Sequence, residues 1–543
     1  MINNLKKHVR QYALALFVGG LLYACSSSGQ VIPKTEFGKI AWKESLTPIH
    51  PGIPGEVPFW NQRAHRFIHA PSFDYKTVEN AKKYRYTVTS LTNNKQYSFE
   101  SGIPYAPLSP IWGKVPIGYF EIKVVGISAK GDELGEAGSG KFYRAAPFDG
   151  PYHKPVLPYD KSARLALDRL MHKDYVDYWL KHKKPDPKYE NYRYPAKIMS
   201  ALVVGAITHA RLKPGTEDAV RSTELAKIIA DYIISIHFPK NSFWPDFPPT
   251  YHGPRIGKNP NSHMQLYNHL TIMGPDAGHA YLDLYDLIGD EKYLKAAKKI
   301  ADTYLKNQLE NGTWHLFANH ETGEPTADNL AIPTVVINYF ERLQRDYNVK
   351  GLEESISKAL HWIMENPVKT FDWQSQFEDV KPMPQFRRLN REQACDLAIY
   401  FFRRNENITL AEELTSFAED QFVIWEQADT TYVVRPGNPR KGFHAKNWIT
   451  PSVHEQYGFW MPVNRAAGIM IENYWYAYQA TKKEIYLAKA ESIANAITII
   501  QEANGGDYPT MAIAYPWNMW LNSTVYPAKV MMSFKERLDK LKN

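Results

Sequence analysis

The sequence repeats itself at a distance of 193 residues, and this repeat constrains the fold more than any other feature. Aligned without a gap, positions 281–312 match positions 474–505 at 11 of 32 places. Within the first copy, apolar residues recur three and four apart in EKYLKAAKKIADTYLKN, which indicates an amphipathic helix. Asn311 and Gly312 follow it, and glycine readily takes the left-handed conformation that ends a helix. A chain with such a repeat is built from copies of one structural unit.

Each copy is predicted to be a hairpin of two helices, because a second helical stretch, AGHAYLDLYDLIG, precedes the first one. Three further hairpins follow the same pattern without close identity, beginning near positions 195, 332 and 392. Helical stretches at 163–182 and 525–541 remain to close a ring. We therefore predict a mostly α protein whose main domain, residues 151–543, is an α/α toroid of about six helical hairpins. An open solenoid is the competing architecture.

Residues 35–150 have a different pattern. The stretches KYRYTVTSL and GYFEIKVVGIS alternate apolar and polar residues, and turn residues separate them. This pattern predicts a small β-sandwich domain, similar to a fibronectin module, in front of the toroid. Because it holds no group of His, Asp or Glu residues, we expect it to be a scaffold or a carbohydrate-contacting module without a catalytic role.

The N-terminus has the pattern of a bacterial export signal. A basic region precedes a short apolar stretch that ends in LLYAC, which resembles a lipobox. We predict a signal peptide over residues 1–25, lipidation of Cys25, and a tether over residues 26–34. An ordinary secretory signal or an uncleaved anchor are the alternatives. The predicted location is the outer membrane or cell surface of a Gram-negative bacterium, where Cys395, the other cysteine, has no disulfide partner.

Composition and motifs reduce the number of functions that the protein can have. The formal net charge of +8 suits an anionic substrate, and the chain lacks the basic helix or aromatic–basic motif of a nucleic-acid binder. It also lacks a phosphate-binding glycine loop and a G-x-S-x-G motif. His263 and His269 are six residues apart, which is no known metal-ligand spacing. We expect a monomer without a cofactor or metal site, and leave open a structural calcium ion bound by loop acids.

The long loops between hairpins are rich in Trp, Tyr, His and Arg, and they meet at one mouth of the predicted ring. Loops of this length usually carry function. A glycoside hydrolase would need two carboxylates across the cleft. A polysaccharide lyase would need a group that neutralises a uronate carboxylate, a base and an acid. His, Tyr and Arg residues are more numerous in these loops than well-placed acids, which favours the lyase. The hydrolase candidates are Asp246, Asp328, Glu378, Asp379, Glu455 and Asp507.

The predicted toroid with aromatic rim loops resembles the α/α-toroid polysaccharide lyases that act on alginate, glycosaminoglycans or ulvan. The stretch QLYNHLTIMG presents Asn268 and His269 ahead of an inner helix, as an Asn-His pair does in some of those lyases. The resemblance implies that Asn268 holds the uronate carboxylate and that His269 takes or assists the proton. The next hairpin lacks a tyrosine at its mouth, so we assign the tyrosine role to Tyr457, oriented by Glu455 or Arg465.

The predicted function is therefore β-elimination on a uronate-containing, sulfated or unsulfated polysaccharide; ulvan is slightly favoured over alginate, glucuronan and glycosaminoglycans. A toroid glycoside hydrolase, including an unsaturated uronyl hydrolase, and a non-catalytic glycan-binding lipoprotein are the alternatives. Each candidate also has a structural interpretation, as a helix cap, an interior histidine, a packed aromatic ring or a solvated arginine. The predicted catalytic residues are Asn268, His269, Tyr457, His263 and Glu455. The predicted substrate-binding residues are Arg255, Arg387, Arg388, Tyr515, Trp314 and Trp517.

Overall fold

The N-terminal part of the chain folds into one five-stranded sheet. The computed structural model describes residues 33–56, 59–252, 268–378, 385–425, 447–513 and 520–542. Helix α1 (Glu36–Glu44) precedes the sheet and α2 (Ser109–Trp112) connects two of its strands. The strand order is β1-β5-β4-β2-β3, with β1 parallel to β5 and the other pairs antiparallel. The strands are β1 (Arg66–Phe67), β2 (Lys83–Ser90), β3 (Gln96–Ser101), β4 (Gly118–Ile127) and β5 (Glu133–Arg144).

The structure corrects the predicted β-sandwich, because the described residues of this region form a single sheet. Alternate residues of β2 are buried, as the sequence pattern requires. The rings that meet the buried face come from irregular chain, from helix α2 and from β1 itself, and among the described residues no second sheet covers it. Phe142 of β5 packs its ring against those of Phe67, Phe73 and Trp112, with centroids 5.8 to 6.3 Å apart. Alternation shows that one face of a sheet is buried, but it does not show what buries that face.

The helical part begins with α3 (Tyr159–Met171) and α4 (Asp174–His182), and the following helices alternate between an inner and an outer layer. A π-helical turn, Pro195–Met199, leads into the first inner helix. The inner helices are α5 (Ser200–Leu212), α7 (Gly274–Ile288), α9 (Thr334–Tyr347), α11 (Glu392–Arg404), α13 (Asn464–Thr481) and α15 (Asn522–Lys542). Their outer partners are α6 (Glu217–Ser235), α8 (Glu291–Asn307), α10 (Glu353–Ile363), α12 (Ile408–Phe422), α14 (Glu484–Ala503) and, for α15, α3.

The ring is closed, which confirms the predicted toroid. Each inner helix packs against the next, and the last one, α15, packs against the first one, α5. The C-terminal helix α15 forms the sixth hairpin with α3, so the two ends of the helical region meet. The internal repeat corresponds to the hairpins α7–α8 and α13–α14. These hairpins are three places apart among six, so the two copies face each other across the ring.

Long connections all lead to the N-terminal ends of inner helices. Two residues join α7 to α8, and Gly289 ends α7 there in the left-handed conformation with φ 71°. The connections from outer to inner helices are much longer, and three of them contain short strands in their described residues. Their strands are β6 (Asn268–Leu270), β7 (Phe317–Asn319), β8 (Val423–Ile424), β9 (Ser452–Gln456) and β10 (Phe459–Pro462). The loops and the first turns of the inner helices therefore share one end of the ring.

Inner helices approach closely where a glycine faces an aromatic ring. A Cβ atom at Gly278 of α7 would lie 2.5 Å from the ring of Tyr339 on α9. We expect Gly278→Ala to lower the free energy of unfolding by about 1–3 kcal/mol, because α7 and α9 would have to separate. Urea denaturation measures this loss. The control is Gly102→Ala, at an open site, where alanine reduces the entropy of the unfolded chain in the same way but meets no clash. Equal stability of the two variants would contradict the close packing.

Among the described residues, no helix combines the length and apolar character needed to cross a lipid bilayer. Cys25 and the N-terminal segment lie outside the described residues. Export and lipidation of Cys25 therefore stay predictions, as do the domain limits at residues 26, 35 and 151.

Candidate functional site

Charged side chains from several inner helices and two loops meet inside the ring, at the end where the inner helices begin. Asp276 lies in the first turn of α7 and Arg465 in the first turn of α13, and each affects the pKa of the other. Because α7 and α13 are opposite each other in the ring, this coupling acts across its axis. We call this group the axial cluster; it comprises Lys197, Asp276, Glu378, Glu392, Asp396, Glu455 and Arg465.

Two ion pairs organise the axial cluster. Arg465 binds Glu392 with both arms of its guanidinium, at Nη1–Oε2 2.8 Å and Nη2–Oε1 2.5 Å. Burial raises the pKa of Glu392, but Arg465 and Arg391 outweigh burial and lower that pKa to about 2. Lys197 Nζ lies 3.0 Å from each carboxylate oxygen of Glu378. Desolvation lowers the pKa of Lys197, yet the nearby carboxylates raise it overall. Glu392 and Lys197 are thus charged at neutral pH.

Asp276 differs from these paired groups. Its side chain is exposed to the solvent inside the ring, while the surrounding protein removes much of the bulk water that would stabilise its charge. Desolvation raises its pKa, Glu392 and Glu378 raise it further, Arg465 and Lys197 oppose them, and the result is about 7. A carboxyl group with this pKa can donate a proton at neutral pH and accept it back.

A second protonated carboxyl group lies one turn further along α11. Asp396 is four residues after Glu392, so both side chains lie on the same face of the helix. Burial raises the pKa of Asp396 to about 8, and the charge of Glu392 contributes. The hydroxyl of Thr334, at the start of α9, lies 3.3 Å from its Oδ2. Asp396 is therefore mostly neutral at pH 7 and adds little charge to the cluster.

The structure places three of the predicted site residues in the core. His269 of β6 has no exposed surface, and its ring packs against Phe238, Trp244 and Phe247 at centroid distances of 4.7 to 5.5 Å. Burial lowers its pKa to about 3. Tyr457 is buried with its hydroxyl bonded to Gln421 Oε1. Neither side chain offers a surface that a polysaccharide could touch. Trp314, the third predicted residue, is also buried. Three other tryptophans of the long loops are buried as well, namely Trp244, Trp373 and Trp448, and all four are at most 3% exposed.

Of the other predicted residues, some lie in the axial cluster or near the surface, and the rest lie in segments that the structure does not describe. Glu455, on β9, influences the pKa of Lys197 and so belongs to the axial cluster. Arg387 is exposed and Arg388 is half-buried beside Gly458. The backbone of Asn268 begins β6, opposite Asn319. The remaining predicted residues lie outside the described residues: His263, Arg255, Tyr515, Trp517, Asp379 and Cys25.

Three of the acids proposed for a hydrolase are not in the cluster. Asp246 forms an ion pair with Lys299 at 2.6 Å. Asp507 binds Arg169 at 2.6 Å and Lys173 at 2.9 Å. Because α3 ends just after Arg169, this pair of contacts ties the end of the fifth hairpin to the helix that completes the sixth. Asp328 is exposed on its loop. Of the six proposed acids, the structure brings Glu378 and Glu455 to the ring interior.

Sequence reasoning missed Lys197, Asp276, Glu392 and Asp396, which come from the starts of inner helices and not from the rim loops. A signal for them was present: Asp276 in GPDAGHAYL, and Glu392 and Asp396 in REQACDLAIYFF, are acids within otherwise apolar helices. A buried helix retains such charges where partners on neighbouring helices meet them. Arg465, expected to orient Tyr457, instead holds Glu392.

The described residues contain one group with metal-like spacing, namely Asp168, His209 and Asp218. The ammonium of Lys213 lies between its carboxylates, 2.5 Å from Asp168 and 2.8 Å from Asp218. Lys213 thus occupies the position of a cation, and we interpret the group as a structural ion-pair network. A calcium ion elsewhere stays a prediction.

A scan of protein families and a search of curated proteins found no match to this sequence. Solved structures with a similar course of the chain include a family 76 glycoside hydrolase from Bacteroides thetaiotaomicron, at 12% identity and TM-score 0.45, covering 87% of this chain and 98% of that one. Cellobiose 2-epimerase from Spirochaeta thermophila has 12% identity and TM-score 0.44, covering 72% and 99%. A polysaccharide lyase has 10% identity and TM-score 0.40, covering 86% and 64%.

Proposed function

We propose that this protein is a glycoside hydrolase with Asp276 as its general acid. The observation that carries the proposal is the exposed carboxyl group of Asp276 inside the ring, whose pKa is about 7 and is raised in part by the charge of Glu392, with a pKa of about 2. Environments that push the pKa values of neighbouring carboxyl groups apart are the mark of acid–base assignment in glycosidases. Asp276 would protonate the glycosidic oxygen of the leaving sugar.

Glu455 is the second carboxylate of the proposed reaction. Hydrolysis needs a carboxylate that activates water or attacks the sugar directly. Glu392 is unsuited to the role because two bonds from Arg465 weaken its basicity. Both oxygens of Glu378 are held by Lys197. Glu455 lies on a loop strand at the same mouth, near enough to influence Lys197. Glu455→Gln should therefore reduce kcat more than Glu378→Gln does.

The charges of the axial cluster favour a neutral sugar at the bond that is cleaved. Lys197 and Arg465 already hold carboxylates. A uronate bound between them would have to displace Glu378 or Glu392, and it would face the remaining acids. Placing like charges side by side in a partly desolvated site costs about several kcal/mol. The proposed substrate is therefore an oligo- or polysaccharide with a neutral residue in the reacting position.

A polysaccharide lyase is the second candidate, and one observation favours it. Tyr526 of α15 lies under the guanidinium of Arg465, 5.5 Å from ring centroid to Cζ, and its hydroxyl donates to Glu472 Oε2 at 2.5 Å. Burial and Glu472 raise the pKa of Tyr526 well above its usual value, so its hydroxyl stays protonated at neutral pH. In β-elimination on a uronate polymer, a tyrosine could act as the acid and an arginine could neutralise the uronate carboxylate. Such polymers include ulvan, alginate, glucuronan and glycosaminoglycans.

The two candidates are separated by their products. The protein, expressed without residues 1–25, is incubated with neutral glycans and with uronate polymers including ulvan and alginate. Hydrolysis releases reducing ends without ultraviolet absorbance of a conjugated enoate, whereas β-elimination produces both. We expect reducing ends alone. Enoate absorbance that Tyr526→Phe removes would establish the lyase and reject the hydrolase. Retention on a glycan without any product would indicate a binding protein.

The proposed acid role of Asp276 predicts a pH dependence. Hydrolysis requires the protonated carboxyl group, and its pKa is raised to about 7. The value of kcat/KM should therefore be high below pH 6 and should fall tenfold per pH unit above pH 7, until another group takes over. Initial rates measured between pH 5 and pH 9 test this limb. A flat profile over that range would contradict the assignment.

A further inference from the structure

Strand β9, which carries Glu455, is anchored to the helical ring on one side. Asn390 Nδ2 donates to the backbone carbonyl of Glu455 at 3.2 Å, and the guanidinium of Arg391 donates to the same oxygen. Ser375 Oγ donates to the side-chain Oε1 of Gln456 at 2.5 Å. These contacts come from the segment that leads into α11, which also supplies Glu392. They hold Glu455 and Gln456 from one side, and the strand also pairs with β10 along one edge and with β8, which follows α12, along the other.

On that other side, the N-terminal sheet is bonded to the end of helix α12. Arg66 of β1 donates to the carbonyl of Asp420 at 2.5 Å and to the carbonyl of Val423 at 2.8 Å. The carboxylate of Asp420 accepts bonds from the backbone N–H groups of Ile68 and His69, at 2.5 and 2.7 Å. The sheet region and α12 therefore hold each other through paired polar groups and not only through apolar packing.

Gln421 connects this junction to the strand of Glu455. Its Nε2 donates to the carbonyl of Arg66 at 2.8 Å, and its Oε1 accepts a bond from the hydroxyl of Tyr457. Tyr457 follows β9 directly, two residues after Glu455. Arg66, Asp420, Gln421 and Tyr457 are all at most 4% exposed. Breaking one hydrogen bond in a buried series of this kind leaves polar groups unsatisfied. The four side chains therefore have one well-defined arrangement.

We propose that the N-terminal sheet is part of the catalytic apparatus, and that Gln421 and Tyr457 are positioning residues that set the place of the Glu455 carboxylate. This inference rests on the proposed function. Reacting groups must be held within about 0.5 Å of their productive position, and a displacement of about 1 Å can cost about 100-fold in rate. Apolar packing would attach the sheet equally firmly, whereas the bond from Arg66 to Val423 reaches β8, which pairs with β9 and so connects the sheet to the strand of Glu455.

The test is the pair of variants Tyr457→Phe and Tyr339→Phe. Both remove a buried tyrosine hydroxyl that makes a hydrogen bond; that of Tyr339, on α9, donates to the carbonyl of Ala297 at 2.5 Å. We expect Tyr457→Phe to lower kcat by about 10- to 100-fold with KM changed less than about twofold. Tyr339→Phe should retain the wild-type kcat at a similar loss of thermal stability. Equal kcat values for the two variants would overturn the proposal.

Hydrogen exchange of the full chain gives a readout that does not depend on activity. In Arg66→Met, the amides of residues 452–456 should exchange at least about tenfold faster than in wild type, while those of α7 keep their protection. Unchanged exchange in β9 would reject the link from the sheet to this strand. If wild type hydrolyses glycans and Asp276→Asn does not, but Tyr457→Phe is fully active, the positioning role fails while the proposed function stands. If wild type hydrolyses nothing, the proposed function fails, and exchange in Arg66→Met still decides whether the sheet fixes β9.

Discussion

Asp276→Asn is expected to lower kcat/KM for glycan hydrolysis by about 10²- to 10⁴-fold, the usual contribution of a general acid. Asparagine keeps the size of the side chain but cannot deliver a proton to the leaving oxygen, so KM should change little. The variant should also lose the alkaline limb of the pH profile, because that limb reports the ionisation of Asp276. Steady-state kinetics on the substrate identified in the product assay measures both effects.

The stability of Asp276→Asn provides an internal control. A carboxyl group whose pKa is raised by folding destabilises the folded state as the pH rises from its unfolded value, near 3.8, through about 7. Asparagine carries no such penalty, so the variant should be at least as stable as wild type at pH 8. Asp328→Asn changes an exposed loop aspartate and should leave activity intact. A stable Asp276→Asn variant with wild-type activity would exclude Asp276 as the acid.

Arg465→Met is expected to lower the free energy of unfolding by about 3–5 kcal/mol at pH 7, because it removes the two-bond partner of the desolvated Glu392 charge. The two side chains are 23% and 11% exposed and share a two-bond contact. Urea denaturation measures the loss. The double variant Arg465→Met with Glu392→Met should regain much of it, since an apolar pair replaces a buried ion pair at little cost.

The pH dependence of stability should weaken with this substitution. In wild type the pKa of Glu392 is lowered to about 2 from 4.5, so its contribution is present above pH 4.5 and is lost as the pH falls towards 2. Without Arg465, only Arg391 and Lys197 oppose the effect of burial on Glu392, so its pKa should rise from about 2 and less stability should be lost as the pH falls. Arg85→Met removes an exposed pair with Glu133 and should cost less than about 1 kcal/mol. A loss of that size for Arg465→Met would contradict the buried-pair interpretation.

The residues chosen from the sequence for chemistry illustrate where sequence reasoning stops. From the sequence, His269 and Tyr457 are assigned to proton transfer, because they precede inner helices, and Trp314 to substrate binding, because it is an aromatic residue on a long loop. Such side chains have a large apolar surface and a polar tip, so they serve equally well as core residues when a partner is available. Trp314 Nε1 donates to the carbonyl of Tyr304 and Tyr457 donates to Gln421. Those partners are distant in the sequence or lie on other elements, so no local pattern could have indicated them.

The sequence by itself determined the repeated hairpin and the closed ring. Helical periodicity and helix ends depend on residues within a few positions of each other, and the repeat marks the hairpins α7–α8 and α13–α14 as equivalent units. Because each hairpin buries its apolar face against the next, a chain of six such units has few ways to cover its ends, and pairing α15 with α3 is one of them.

Only the tertiary structure decided which charges meet. Asp276, Glu392 and Arg465 belong to three inner helices and are separated by more than seventy residues from one another. Their pKa values depend on distances across the ring and on the water that the ring excludes, and neither quantity exists before the ring closes. The same holds for the covering layer of the N-terminal sheet and for its bonds to α12. Helices and their ends depend on residues close together in the sequence. The electrostatics of the site depends on contacts between distant residues, and only folding brings these together.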